Sequence, residues 1–408
     1  MESHLIDLGV QCAEYTYHSV TRNTSIRRRG SGPPTRPTPK RRDIMTQRFG
    51  SLESLSNGQP RKKHSVGLLR RTGGALAVGA MLSPLVACNA APDEEEQFTL
   101  SLADWIPPSH VFSVDGAEHF MESVEERSDG AITFGHYPAE QLGAAAELPG
   151  LLESGATDIT SIGPAYLPSD YPLTSVSNLP GLGGESCHVS AAIMELLSPG
   201  GSLYEREFEP KGLRPLFVTI STRYEVFTRN EQVRVPNDLQ GLQLRSGGGA
   251  QDRAVRELGA APVAMTASEM YEAIQRGTVD GTAVNAISVL PYNLQEVVDY
   301  GTIGAPMGNF TAIYTMRNDA FEELPEDLQE IVLESAAEAN QNVCEAIERE
   351  NEEANEILLE EGTELYELTH DELAEWLERV EPAVSQWVED LDGADILEEY
   401  EAALEAHE

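Results

Sequence analysis

The sequence predicts an α/β protein of two lobes with a cleft between them. Three features point to it. Strand-like and helix-like stretches alternate from residue 98 onward, and the alternation resumes in a second block from residue 213. One unbroken helical pattern then fills 323–362. About 36 residues at a rise of about 1.5 Å span roughly 54 Å, more than one small lobe is wide. A helix whose apolar stripe is that continuous lies across both lobes rather than projecting from one, and a helix bracing two lobes implies a cleft.

Each element has a local reason. FTLSLADW (98–105) alternates apolar and polar in the manner of a strand, and the loop IPPSH follows. Phe112, Ala117, Phe120, Met121 and Val124 are spaced for a helix over 112–127. AITFGHYP (131–138) reads as a strand, QLGAAAELPGLLESG (141–155) as a helix closed by Gly155, and ATDITSIGPAY (156–166) as a third strand. This succession predicts a layered domain on a mainly parallel sheet. In the second block LRPLFVTI (213–220), YEVFTR (224–229) and LQGLQLR (239–245) are strand-like. AQDRAVRELG (250–259) and SEMYEAIQRG (268–277) are helices that stop at a glycine, and the second feeds TVDGTAV (278–284). In the long helix Pro325 suits the first turn, and Leu328, Ile331, Val332, Ala339, Val343, Ile347, Ala354 and Ile357 keep the stripe as far as Gly362.

The first 88 residues lie outside this fold. Residues 1–60 are polar, basic and proline-rich, as in RRRGSGPPTRPTPKRR, and cannot bury a core; they are disordered or an overextended start, with Met45 a candidate initiator. A basic segment, RKKHSVGLLRR, then precedes the uncharged run Thr72–Ala87, which ends Leu85-Val86-Ala87-Cys88. That order predicts a secretory signal over 61–88, with Cys88 lipidated in the manner of a bacterial lipoprotein and 89–97 an acidic tether. The product is then extracytoplasmic and lipid-anchored; Arg70-Arg71 leaves twin-arginine and general export both open. Beyond residue 88 only 14 Lys and Arg, a single Lys among them, face 63 Asp and Glu. Such a surface repels nucleic acid and anionic membranes, and its poverty in lysine predicts adaptation to high salt. Cys187 and Cys344 could be bridged in an oxidising compartment, which the sequence leaves undecided.

Catalytic signatures are missing. The chain has no G-x-S-x-G, no P-loop and no H-E-x-x-H, and His110, His119, His136, His188, His370 and His407 lack metal-ligand spacing. No enzyme or cofactor is expected and no residue is assigned to a metal, while the sequence leaves open whether a metal bridges ligand and protein. The stretch LQLRSGGGAQD (242–252) is of another kind. Gly247–Gly249 would let backbone approach a guest, the helix opening near Ala250 offers free N–H groups, and Arg245 adds a fork that matches a carboxylate. Arg245 pairs either with an acid of the protein or with an anionic ligand. Arg253 with Glu257, and Arg256 with Asp252, read as surface pairs at i,i+4.

These residues resemble the substrate-binding proteins of tripartite ATP-independent periplasmic (TRAP) transporters, the DctP family. VPNDLQGLQLRSGGGAQDRAVRELGAAPVAMTASEMYEAIQRGTVDG (235–281) is similar to that family's best-marked region, and YPAEQLG (137–143) and ELPEDLQEIVLESAAEA (323–339) to two others. The likeness spans roughly 97–390. It implies a two-lobed periplasmic binding protein fold, type II-like, each lobe a mixed sheet flanked by helices, divided as 98–221 with about 310–340 and 222–309 with about 341–395. It also implies capture of a small organic acid and delivery to DctQ-like and DctM-like membrane subunits. By the same resemblance Arg245 grips the ligand carboxylate, Arg223 assists, and Asn285 completes the site one residue beyond its usual place. Trp105, Ser109, His110, Tyr166 and Phe310 are candidate walls. An ABC-type or sensory binding protein, or a secreted enzyme acting on organic acids, are the rival readings.

Overall fold

The structure, a computed structural model, describes residues 97–407; the leader, the signal segment with Cys88, and the tether up to residue 96 lie outside the described residues. The alternation of FTLSLA places Leu100 and Leu102 in the core and makes an interior strand, β1 (Phe98–Ala103). In chain order follow β2 (Ile132–Tyr137), β3 (Ile159–Ile162), β4 (Leu213–Ile220), β5 (Glu225–Thr228), β6 (Gln243–Ser246), β7 (Ala261–Ala264), β8 (Gly281–Val284), β9 (Tyr300–Ile303), β10 (Thr311–Arg317) and β11 (Glu364–Glu367). They form two sheets, ordered β2-β1-β3-β10-β4 and β11-β9-β5-β8-β6-β7. In the first, β2 and β3 run parallel to β1 while β10 is antiparallel to β3 and β4. In the second, β5 is antiparallel to β8 and β9 and the other pairs are parallel. Both sheets are mixed, and in each the antiparallel strand follows a crossing between lobes: β10 in the first, β5 in the second.

The helices are α1 (His119–Arg127), which continues wider turns begun at Phe112, α2 (Leu148–Glu153), α3 (Ser186–Leu197), α4 (Gly249–Glu257), α5 (Met270–Gln275), α6 (Ala286–Val289), α7 (Asn318–Glu322), α8 (Glu326–Glu361), α9 (His370–Leu391) and α10 (Ala394–His407). α2 is shorter than its sequence suggests. Ala139 and Glu140 turn through positive φ, and the Glu147 carboxylate accepts the Ala144 N–H, which holds 144–147 in a turn. α8 spans 36 residues, with Pro325 as its N-cap rather than in its first turn. Glu326 and Asp327 complement the dipole at its start, and Gly362, at φ +104°, ends it. It packs on β4, α1 and α3 of the first lobe and on α6 and β11 of the second, so it braces both. α9 crosses as well. Trp376 Nε1 donates to Arg234 O, Trp387 Nε1 donates to Ser175 Oγ, and α10 closes on α3. Arg256 pairs with Asp252 as expected, but Arg253 reaches Asp390 of α9 at 2.6 Å instead of Glu257, whose carboxylate takes Gln386. The docking of α9 onto α4 redirects it.

Among the described residues no helix is long and apolar enough to cross a membrane. Cys187 of α3 and Cys344 of α8 are joined as a disulfide, closing a loop of 157 residues. At the hinge, the Glu225 carboxylate at the start of β5 accepts Thr302 Oγ1 at 2.6 Å, Gly304 N at 2.8 Å and Ala305 N at 3.0 Å. It thereby ties one crossing strand to the other. Burial pushes its carboxyl up to about 7, against the pull of those donors and of Arg223.

Two outcomes follow. Replacing both cysteines by alanine should lower stability by about 2–4 kcal/mol, because a long loop in the unfolded chain is released; urea unfolding measures it, and an unchanged midpoint would remove the bridge as a constraint. Between pH 4.5 and 7 the folded Glu225 carboxyl keeps a proton that the unfolded one has lost, so this group makes stability fall as pH rises through that window. Unfolding of Glu225→Gln across that range should show a flatter pH dependence than the parent; parallel curves would contradict the assignment.

Candidate functional site

β6 lies between β8 and β7, so Arg245, its third residue, is enclosed by strands on both sides. Arg245 is fully buried, at 0% exposure. Its Nε and Nη2 donate to Met265 O at 3.0 and 2.9 Å, its Nη1 to Ala283 O at 3.2 Å, and Nη2 also to the Tyr166 hydroxyl at 3.4 Å. Arg127, Arg206, Arg253, Arg256, Arg276 and Arg317 all pair with carboxylates. Arg245 has no such partner among the described residues; carbonyl dipoles and the phenols of Tyr166 and Tyr224 face its charge. A guanidinium cannot shed its proton, and an unpaired buried charge costs several kcal/mol.

In front of it the lobes meet. Tyr166 of the first lobe touches Arg245 of the second, His110 Nε2 lies 3.0 Å from Ser288 Oγ, and Ser268 Oγ donates to Glu140 across the mouth at 3.3 Å. Trp105 packs edge-on against Tyr166 and Phe310, at 5.3 and 5.7 Å between centroids, and Tyr224 stacks on Phe310 at 6.1 Å. Opposite stand His110, Asn285, Ser288 and Tyr292. The cavity left among these side chains is only about 10 Å³, close to what one water needs. Trp105 and Tyr292 also line an outer vestibule of about 550 Å³, whose rim carries Glu140, Glu272 and Glu296.

The polar groups at the cavity are mostly donors. Trp105 Nε1 and the Tyr292 hydroxyl are buried without a hydrogen-bond partner. Burial raises the Tyr166, Tyr224 and Tyr292 hydroxyls above the usual phenol range, so they stay protonated. Phe112 N–H donates to His110 Nδ1 at 3.2 Å, so the ring proton sits on Nε2 and points at Ser288. Burial lowers His110 to about 3, which keeps the ring neutral. Asn285 Oδ1 caps α6 by accepting Ser288 N–H, leaving its amide nitrogen to donate elsewhere. Asp104 is buried behind the wall. Its carboxylate accepts Ile106 N–H, Ser161 Oγ–H and Tyr314 O–H and holds the 104–107 loop that presents Trp105.

The structure thus brings Trp105, His110, Tyr166, Asn285 and Phe310 to one cavity, with Arg245 directly behind Tyr166. Arg223 is not brought there. Alternation along the crossing strand turns Tyr224 inward and Arg223 outward, where it is exposed, donates to Gly183 O and acts as a countercharge to Glu225 and Glu348. Ser109 is exposed too. The glycine triplet also differs from expectation. A Cβ on Gly248, at φ +99°, would lie 2.7 Å from Ala165 O, and the Gly247 N–H is taken by Gln251. These glycines let the lobes approach each other and do not floor the cavity. Tyr224, Ser288 and Tyr292 escaped sequence reading; only Tyr224 had a signal, in its place beside Arg223 on the crossing strand. Among the described residues no group of three or more His, Cys, Asp or Glu could hold a metal ion.

Known proteins agree with this architecture. The profile of the family described as bacterial extracellular solute-binding protein, family 7 (DctP), matches residues 105–390. A solute-binding protein of Albidiferax ferrireducens is 28% identical over 234 residues, covering 56% of this chain and 67% of that one. Among solved structures, a TRAP solute-binding protein of Rhodoferax ferrireducens in complex with benzoate superposes with a TM-score of 0.71 at 22% identity, over 76% of this chain and 98% of that one. Another, of Bordetella bronchiseptica with bound mandelate, gives 0.67 at 24% identity, over 76% and 99%. With its profile matched from the first cavity residue to the end of α9, this chain belongs to the DctP family, the extracytoplasmic solute-binding components of TRAP transporters, which hand small organic acids to a membrane permease and catalyse no reaction.

Proposed function

We propose that Arg245 is the counter-ion of the captured acid. The observation that carries this is a fully buried guanidinium with no carboxylate partner among the described residues, set behind a cavity whose unpartnered polar groups are donors. A carboxylate entering between Tyr166 and Tyr292 would meet a positive charge, two or three neutral O–H and N–H donors, and little water. The cavity as it stands is too small for it, so Tyr166, Trp105 or Tyr292 must give way as the lobes part and close again. Asn285 and His110 contribute as a neutral donor and a neutral wall, Phe310 and Trp105 as apolar surface. The structural neighbours hold benzoate and mandelate, each a carboxylate on a phenyl-bearing body, and a guanidinium fork fits the carboxylate.

The same reading extends to the surface and the N-terminus. Cys88 follows small residues at the end of an export signal, which supports lipid anchoring, so the solute is released beside the permease. The excess of acidic over basic residues supports a working environment of high salt, where long-range repulsion of an anionic ligand is screened while the buried pair is not.

Arg245→Ala and Arg245→Lys should each weaken binding of a carboxylate ligand at least about 100-fold, roughly 2.7 kcal/mol, by calorimetry. Parental affinity in both variants would remove Arg245 from the site. The melting temperature of the domain should rise between about 0.1 M and 2 M salt as surface repulsion is screened; equal stability at the two would contradict a salt-adapted surface.

A further inference from the structure

Resting on the reading of Arg245 just given, we infer that the acid captured here is a monocarboxylate with a flat aromatic body. Charge limits the guest to one anionic group. Among the described residues no Lys or Arg lines the cavity itself; Arg245 stands directly behind its Tyr166 wall, Arg223 points away and His110 is neutral. A second carboxylate would have to face the aromatic wall, the buried Asp104 behind it, or Glu140, Glu272 and Glu296 at the rim.

Wall chemistry sets the body. Trp105, Tyr166, Tyr224 and Phe310 form one continuous aromatic surface, with edges and faces presented at 5.2–6.1 Å from ring to ring. These are spacings and angles at which a further ring joins favourably. Against that surface the polar groups are mostly donors, so the hydroxyls of a sugar acid, which must donate as well as accept, find few acceptors there. Shape agrees. The two side chains common to cavity and vestibule, Trp105 and Tyr292, are both rings, so the passage between them is bounded by flat surfaces.

The test is calorimetry of the described domain with four probes: benzoate, cyclohexanecarboxylate, succinate and galacturonate. Benzoate should bind about tenfold tighter than cyclohexanecarboxylate, the ring of similar size without π faces, and at least about 100-fold tighter than the other two. Phe310→Leu should shrink the benzoate preference about fivefold while Arg245 dependence persists; Trp105→Phe, which keeps a ring, should shrink it less. If succinate or galacturonate binds tightest and is lost in Arg245→Lys, the aromatic assignment falls and the Arg245 reading stands. Should no probe bind, or should binding ignore Arg245, both fall.

Discussion

A positive charge buried without a negative one is the constraint on which the rest of this structure depends. The Arg245 guanidinium is held by Met265 O and Ala283 O on neighbouring strands and touches the opposite lobe only through the Tyr166 hydroxyl. Carbonyl dipoles orient it but do not neutralise it. A core arginine that served stability alone would have been paired, and this chain has a large surplus of acids with which to pair it. Leaving it unpaired in so acidic a protein is explicable if the missing charge arrives with the solute.

The scaffold around that charge holds the two lobes in register. Two strand crossings join the lobes, and the Glu225 carboxylate ties them through the backbone N–H groups of Gly304 and Ala305. α8 lies along both lobes, and its bridge to α3 through Cys344 and Cys187 anchors it to the first. α9 spans the lobes on another side, from Trp376 against Arg234 to Trp387 against Ser175. Around the cavity the direct contacts between the lobes are few: Tyr166 on Arg245, a glycine triplet against Ala165, one serine on Glu140, one histidine on Ser288. Contacts of that size can part at modest cost, while the braces keep the two walls facing each other.

Much of this was legible in the sequence where local pattern suffices. The apolar stripe of α8 and the alternation of β1 and β4 depend only on periodicity, and the structure places them within a few residues of expectation. Arg245 stood out because arginine is scarce beyond the leader and this one closes a buried strand. What sequence could not show is long-range. Arg253 looks paired to Glu257 until α9 brings Asp390 to it, and Gly247–Gly249 look like a ligand floor until Ala165 of the other lobe fills that space. Strand alternation hid the switch from Arg223 to Tyr224, because the crossing has too few residues for a period to register. Tyr292 sits in a loop whose only distinction is where the fold carries it.

The most direct measurement of the central claim is a crystal structure of the protein bound to a carboxylate ligand. The account predicts both carboxylate oxygens within about 2.7–2.9 Å of Arg245 nitrogens, with at least one tyrosine hydroxyl donating to the same group. A ligand whose carboxylate is held elsewhere in the cleft, with Arg245 still engaged only by Met265, Ala283 and Tyr166, would contradict it.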